Sequence, residues 1–254
     1  MQPRDAREPT SDPFISLRSL SKAFGPKQVL RGLFLDVRRG ETLVILGGSG
    51  SGKSVLLKHI NGLLRPEAGR VIVDGVDITS RSEAELVDVR RRVGILFQGG
   101  ALFDSMTVGD NVAYGLREHT SLPETEIAER VRVTLGMVDL PGTEPLMPAE
   151  LSGGMRKRAA LARAIILEPA ALLYDEPTTG LDPVLAQRID LLIRRLQARL
   201  QLTSVVVTHD LHSAFTVGDR FAFLHDGIIR FVGTRDELQR TTDSMVAEFL
   251  KAAA

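Results

Sequence analysis

The chain has no cysteine, no tryptophan and no net charge, and only 5% of its residues are aromatic. Without cysteine there is no disulfide framework, no thiolate metal site and no catalytic thiol, which fits a reducing compartment. The balance of 32 basic against 32 acidic residues argues against a surface that is basic all over, so no nucleic-acid partner is expected. Long apolar runs are missing as well. The stretch from Ala159 to Tyr174 is broken by Arg163 and Glu168, short of the roughly 18 uncharged residues that cross a bilayer. The opening MQPRDAREPTSDP puts charges and prolines where a signal peptide carries an apolar core. Residues 1–13 therefore read as a disordered leader, and nothing marks the chain for export. What remains is a chain of 254 residues, 43% hydrophobic, long enough for one sizeable core with an inserted lobe.

Phe14 to Leu20 and Leu33 to Val37 read as short strands separated by the turn-rich AFGPK, and Thr42 to Leu46 and Arg70 to Val73 as further strands. Lys53 to Leu64 has no breaker before Gly62 and reads as a helix begun by a glycine-rich loop. Further on, helices over 121–139, Met155 to Leu167 and 183–200 alternate with strands Ala171 to Tyr174 and Ser204 to Val207. A loop from Pro141 to Pro148 and a final β-rich piece, Phe221 to Val232, complete the pattern. There is no internal repeat. Strand, glycine loop, helix is the order of a nucleotide-binding α/β unit.

Gly47, Gly48, Ser49, Gly50, Ser51, Gly52, Lys53 and Ser54 fit the phosphate-binding loop G-x-x-x-x-G-K-[ST], in the required place between an apolar strand and a helix. The glycines let successive N–H groups curl around phosphate oxygens, and the helix N-terminus, running on into Val55, adds its partial positive charge. Lys53 is then placed to reach the β and γ phosphates of ATP, and the Ser54 hydroxyl to bind Mg²⁺. Leu172 to Glu176 is an apolar strand ending in two adjacent carboxylates. Beside a phosphate loop, Asp175 suits the Mg²⁺ shell and Glu176 the polarisation of an attacking water. Ser152, Gly153 and Gly154, in LSGGM, open a second glycine-started helix and a second anion site. Alone, that tetrapeptide is as readily an ordinary serine N-cap.

Taken in order, the phosphate loop, Gln98, LSGG at 151–154, LLYDEP at 172–177, TGLD at 179–182 and His209 in VVVTHD resemble the ATP-binding cassette (ABC) family from about Phe14 to Leu238. The resemblance implies a P-loop α/β domain over 14–240 with a RecA-like core, an antiparallel β subdomain, a helical subdomain at about 99–155 and a tail at 241–254. It implies a head-to-tail homodimer in which each ATP lies between the phosphate loop of one subunit and the LSGG helix of the other. It also implies that Gln98 joins Mg²⁺ to the helical lobe and acts in catalysis, that Asp182 lies in a loop crossing the dimer interface, that His209 touches the γ phosphate, and that Phe24 stacks on adenine. Met155 departs from the family, which usually has Gln there.

A narrower resemblance accounts for that departure. Phe97 to Thr120 and Leu146 to Ile165 look like the ATPase subunit of the MCE-type (Mla) phospholipid transporters. That implies a peripheral subunit at the cytoplasmic face of the inner membrane, with integral permease subunits, an MCE-domain protein and a small regulatory subunit as partners. Longer members of that family continue past the equivalent of Phe249-Leu250, where a tail makes dimer contacts. The competing readings are the ATPase of a polar-solute importer, a non-transport cassette acting on DNA or ribosomes, and a catalytically dead cassette. The stretch between Ser54 and Ser152 has no sustained heptads, which argues against the second, and intact Lys53, Glu176 and His209 argue against the third. Arg90 to Arg92, and Arg156 to Arg158, are expected on solvated faces.

Overall fold

Thr42–Leu46 (β3) has every side chain buried, and its alternation divides the core in two: Leu43 and Ile45 face one layer, Val44 and Leu46 the other. The computed structural model describes residues 12–252, so the leader lies outside the described residues apart from Asp12 and Pro13. Val93–Leu96 (β6), Ala171–Asp175 (β7), Thr203–Thr208 (β8), Arg220–His225 (β9) and Ile228–Gly233 (β10) join β3 in a six-stranded sheet ordered β10-β9-β3-β8-β7-β6. All its pairings are parallel except β10 with β9. Strands covered on both faces read as continuous apolar runs, which is why LVIL, ALLY and SVVV were legible.

One face carries Lys53–Ile60 (α1) and a four-stranded antiparallel sheet made by Ile15–Phe24 (β1), Lys27–Val37 (β2), Ala68–Val73 (β4) and Val76–Asp77 (β5), in the order β2-β1-β4-β5. The other face carries Val108–His119 (α3), Glu124–Met137 (α4), Gly153–Ile165 (α5), Pro183–Leu200 (α6) and Leu211–Val217 (α7). Glu83–Arg92 (α2), Arg235–Gln239 (α8), Ser244–Ala252 (α9) and a 3-10 turn at Pro148–Glu150 complete the described elements. This is the α/β architecture of a P-loop domain with an added antiparallel sheet and a helical lobe.

Several elements differ from the sequence expectation. The first two strands extend into one long hairpin through Gly25. Helix α1 stops at Ile60, where Asn61 and Gly62 turn the chain. Helices α2, α3, α7, α8 and α9 lie outside the helices expected from the sequence. Helix α3 contains Gly109 and Gly115, which lower its propensity, but Thr107 caps it by accepting from the Asp110 N–H at 3.1 Å. Arg90 is not simply solvated: it donates to the Gly62 carbonyl at 3.1 Å and ties α2 to the end of α1. Within the tail expected at 241–254, α9 packs Phe249 against Phe223, ring centroids 5.0 Å apart.

The start of β4, where its pairing with β1 shifts register, depends on Gly69. Its φ is +91°, and a Cβ there would fall against the Ser19 carbonyl and within 2.5 Å of the Arg18 carbonyl oxygen. Gly69→Ala is expected to cost about 2 kcal/mol or more from backbone strain and displacement of β1. A lower urea midpoint with unchanged slope checks this, and an unchanged midpoint contradicts it.

Candidate active site

Four segments leave the carboxyl ends of neighbouring parallel strands at one edge of the large sheet: 47–52 after β3, Glu176 after β7, His209 after β8 and Gln98 after β6. Ligand sites in open α/β sheets form at this edge. Gly52 enters α1 with φ +105°, and a Cβ there would press on Val29 Cγ1 at 3.1 Å, so only glycine fits. Helix α1 has no side-chain cap and no acidic residue in its first turn, which leaves its first amides free for an anion.

Lys53 is buried, and its Nζ donates to the carbonyls of Gly47 at 2.8 Å and Gly48 at 3.1 Å while standing 3.4 Å from Glu176 Oε1. Ser54 Oγ donates to Asp175 Oδ1 at 2.7 Å. Successive strand residues point to opposite faces, yet both acids reach the start of α1. The reason is Glu176, whose φ of +48° takes it out of the strand. Its amide donates to the Val207 carbonyl at 3.0 Å, which holds the turn against β8. Glu176 Oε2 then lies 2.9 Å from His209 Nδ1 and accepts from Thr179 Oγ1 at 3.2 Å. Burial pushes the Asp175 carboxyl above the usual carboxylate range, opposed by the Ser54 hydroxyl and by Lys58 and Lys53.

Ser54 and Asp175 are thus in direct contact, and beside them Glu176 contacts both Lys53 and His209. Gln98 is exposed, and its carbonyl accepts from Lys157. Ser152 caps α5, accepting from the Met155 N–H at 3.3 Å. Among the described residues no hydrogen bond joins Ser152, Gly153 or Gly154 to the phosphate loop. The two glycines lie instead beside Leu181 and Leu185. Asp182 caps α6, taking the Val184 and Leu185 amides at 3.0 Å each. Phe24 ends β1, 48% exposed, with Lys22 Nζ 5.4 Å from its ring centroid. Gly48, Ser49 and Gly50 are exposed, whereas Ser51 and Val55 are half-buried.

Lys157 corrects the expectation of an exposed Arg-Lys-Arg run. It is 7% exposed, between α5 and the Gln98 loop, and within electrostatic reach of Asp175 and Glu176; burial lowers its pKa while those acids raise it. The signal was available, because Lys157 shares a helix face with buried Gly154, Ala160 and Leu161 at spacings of three and four. Arg158 is half-buried too, donating to the Asp139 carbonyl at 2.6 Å.

A glycine loop before α1, a lysine held inside it, a hydroxyl on the next residue and a carboxylate pair on an adjacent strand define a P-loop nucleoside triphosphatase. The family model described as "ABC transporter" matches residues 30–179. The intermembrane phospholipid transport system ATP-binding protein MlaF of Haemophilus influenzae is 45% identical over 237 residues, covering 93% of this chain and 90% of that one. The probable ribonucleotide transport ATP-binding protein mkl of Mycobacterium leprae is 44% identical over 236 residues, 93% of this chain and 68% of its own length. Among solved structures, the ATP-binding cassette MJ0796, a dimer in a post-hydrolysis state bound to ADP and Pi, superposes with a TM-score of 0.80 at 32% identity, covering 87% of this chain and 98% of that one. The chain belongs to the ABC transporter family and is an ATPase cassette of it. Among the described residues no helix is long and apolar enough to cross a membrane.

Replacing Lys53 by Ala removes the cation seated in the loop. A lost charge-assisted contact of about 1.5–3 kcal/mol lowers ATP affinity roughly tenfold to a hundredfold. Calorimetric titration of the purified chain checks this, and wild-type affinity contradicts it.

Proposed function

We propose that this chain is the ATPase subunit of a transporter that moves phospholipid between membranes, working as a head-to-tail homodimer on the cytoplasmic face of the inner membrane. The observation that carries the cargo is the similarity to the Haemophilus influenzae phospholipid transport ATPase across nearly the whole of both chains. The mycobacterial relative, named for ribonucleotide transport at almost the same identity, keeps a polar-solute transporter as the second reading.

In this reading the loop amides of Gly47 to Val55 and the Lys53 ammonium hold the triphosphate, Phe24 stacks on adenine, and Ser152, Gly153 and Gly154 contact the ATP of the partner subunit. The paired oxygens of Ser54 and Asp175, with the exposed Gln98 side chain, suit a hard cation that prefers oxygen ligands. Mg²⁺ held there would neutralise negative charge on the triphosphate. Glu176 orients and polarises the attacking water, a contribution of about 10²- to 10⁴-fold. His209, already hydrogen-bonded to Glu176, faces the γ phosphate, and Asp182 lies at the loop that crosses to the partner. Water adds to the γ phosphorus as its bond to the ADP oxygen breaks, so catalysis is positioning and electrostatics.

The permease side of this reading rests on the surface formed by Phe103 and Tyr114. Their rings are 43% and 39% exposed, with centroids 5.1 Å apart, and Arg163 lies 5.6 Å from the Phe103 centroid. Two adjoining exposed aromatics suit a hydrophobic permease segment. An MCE-domain protein and a small regulatory subunit complete the proposed assembly.

Glu176→Gln keeps the shape and removes the base. Hydrolysis by the assembled transporter is expected to fall at least about 10²-fold while ATP binding persists, and near wild-type phosphate release contradicts the assignment. For the cargo, the complex in liposomes is expected to exchange labelled phospholipid with its MCE partner only with hydrolysable ATP, and Phe103→Asp to uncouple the permease at unchanged ATP affinity. ATP-driven uptake of a polar solute, with no phospholipid movement, selects the second reading.

A further inference from the structure

Three buried side chains that the mechanism above does not use join the segments following its strands. Ser213, in α7, donates to Asp190 Oδ2, in α6, at 2.7 Å, and the Ser213 oxygen lies 3.2 Å from Thr178 Oγ1. Asp190 and Ser213 are each 1% exposed and Thr178 is 7% exposed. Thr178 and Ser213 sit just inside two of these segments, and Asp190 lies eight residues into the third, α6. Thr178 is two residues past Glu176, and its neighbour Thr179 touches the Glu176 carboxylate. Helix α6 begins at the Asp182 cap, and α7 begins at the Asp210 cap next to His209.

Asp190 is an expensive choice for this place. Its Oδ1 has no hydrogen-bond partner among the described residues, and it is flanked on α6 by buried Ile189, Leu192 and Ile193. A buried carboxylate with one oxygen unpaired is destabilising, and an apolar residue of similar size is commonly better for the fold. Burial pushes its pKa up to about 6. The Ser213 hydroxyl opposes this, Asp210 adds to it, and His212 opposes it, all three from α7 or its cap; no charged side chain of α5, which also packs on α6, contributes. An ionised Asp190 only accepts, so Ser213 must donate to it and take its own hydrogen bond from Thr178. The carboxylate therefore orders the whole hydroxyl chain.

We propose that Asp190 is a positioning residue for ATP hydrolysis, holding the Glu176, Asp182 and His209 segments in one fixed relation through Ser213 and Thr178. The inference rests on the reading of Glu176 as the group that polarises water. Misplacing a reacting group by a fraction of an ångström to 1 Å costs up to about 10²-fold in rate, which is the scale of effect available to such a network.

The test compares Asp190→Leu, Asp190→Asn and Glu176→Gln in the purified transporter. A group whose folded pKa is raised contributes stability at low pH that is lost as pH rises from the ordinary 3.8 through about 6, so an ionised Asp190 burdens the fold at pH 8. Asp190→Leu is therefore expected to raise Tm at pH 8 more than at pH 5. It is also expected to lower kcat by about tenfold or more, with KM for ATP within about twofold. Asp190→Asn, which still accepts from Ser213, is expected to recover most of that kcat. A fall in Tm that accompanies the loss of kcat marks Asp190 as merely structural and overturns the proposal. Unchanged kcat in Asp190→Leu, or failure of the Asn variant to recover it, overturns it as well. If Glu176→Gln itself turns over at the wild-type rate, the underlying reading of Glu176 fails instead, and the two failures are told apart.

Discussion

The in-register parallel pairing of β3, β8 and β7 is the constraint on which the site depends. Leu46 lies opposite Thr208, and Asp175 opposite Val207, so β3 and β8 end at one level and β7 a single residue earlier. The next residues in each chain segment, Gly47, His209 and Glu176, therefore emerge within one residue of the same level, with no loop having to search for its partner. A one-residue slip would turn Asp175 to the opposite face and break its contact with Ser54. The apolar residues that prevent a slip are those of the two core layers, since Leu172 and Tyr174 pack on one face of β7 while Ala171 and Leu173 pack on the other. Core packing and the chemistry of the edge are the same constraint seen from two ends of the strand.

Part of the electrostatics at that edge is already arranged. The Lys53 ammonium is held by two loop carbonyls beside Glu176, and in the proposed function it is the group that leaves them for a phosphate. Glu176 has His209 and Thr179 as further partners, which hold its carboxylate independently of Lys53. Preorganised charge of this kind needs no rearrangement at the moment of reaction.

Much of this was legible in the sequence, for identifiable reasons. The phosphate loop, the paired acids and the LSGG turn depend on residue type and local spacing, and the strands carrying them are unbroken apolar runs. What escaped depends on contacts between distant segments. By charge alone Arg156 to Arg158 reads as a surface run, whereas helical periodicity separates Lys157 from its neighbours and turns it inward. Helix α3 was hidden by two glycines, one of which, Gly115, packs against Leu167 where a larger residue would crowd it. The left-handed turn at Glu176 has no sequence signature at all, since Glu rarely takes that conformation and is held there by the backbone of β8.

The burial of Lys157 has a mechanical side. Lys157 grips the Gln98 carbonyl, and six residues further along the same helix Arg163 donates to the carbonyls of Gly100 at 3.0 Å and Ala101 at 2.7 Å. Two cations thus rivet the backbone after Gln98 to α5 along its length, so that loop and helix form one stiff strut. At one end of the strut stands the aromatic surface of Phe103, and at the other the exposed cap of Ser152. A displacement of the aromatic end would be carried into α5 through these two cations, past the Gln98 backbone, rather than be taken up by a free loop.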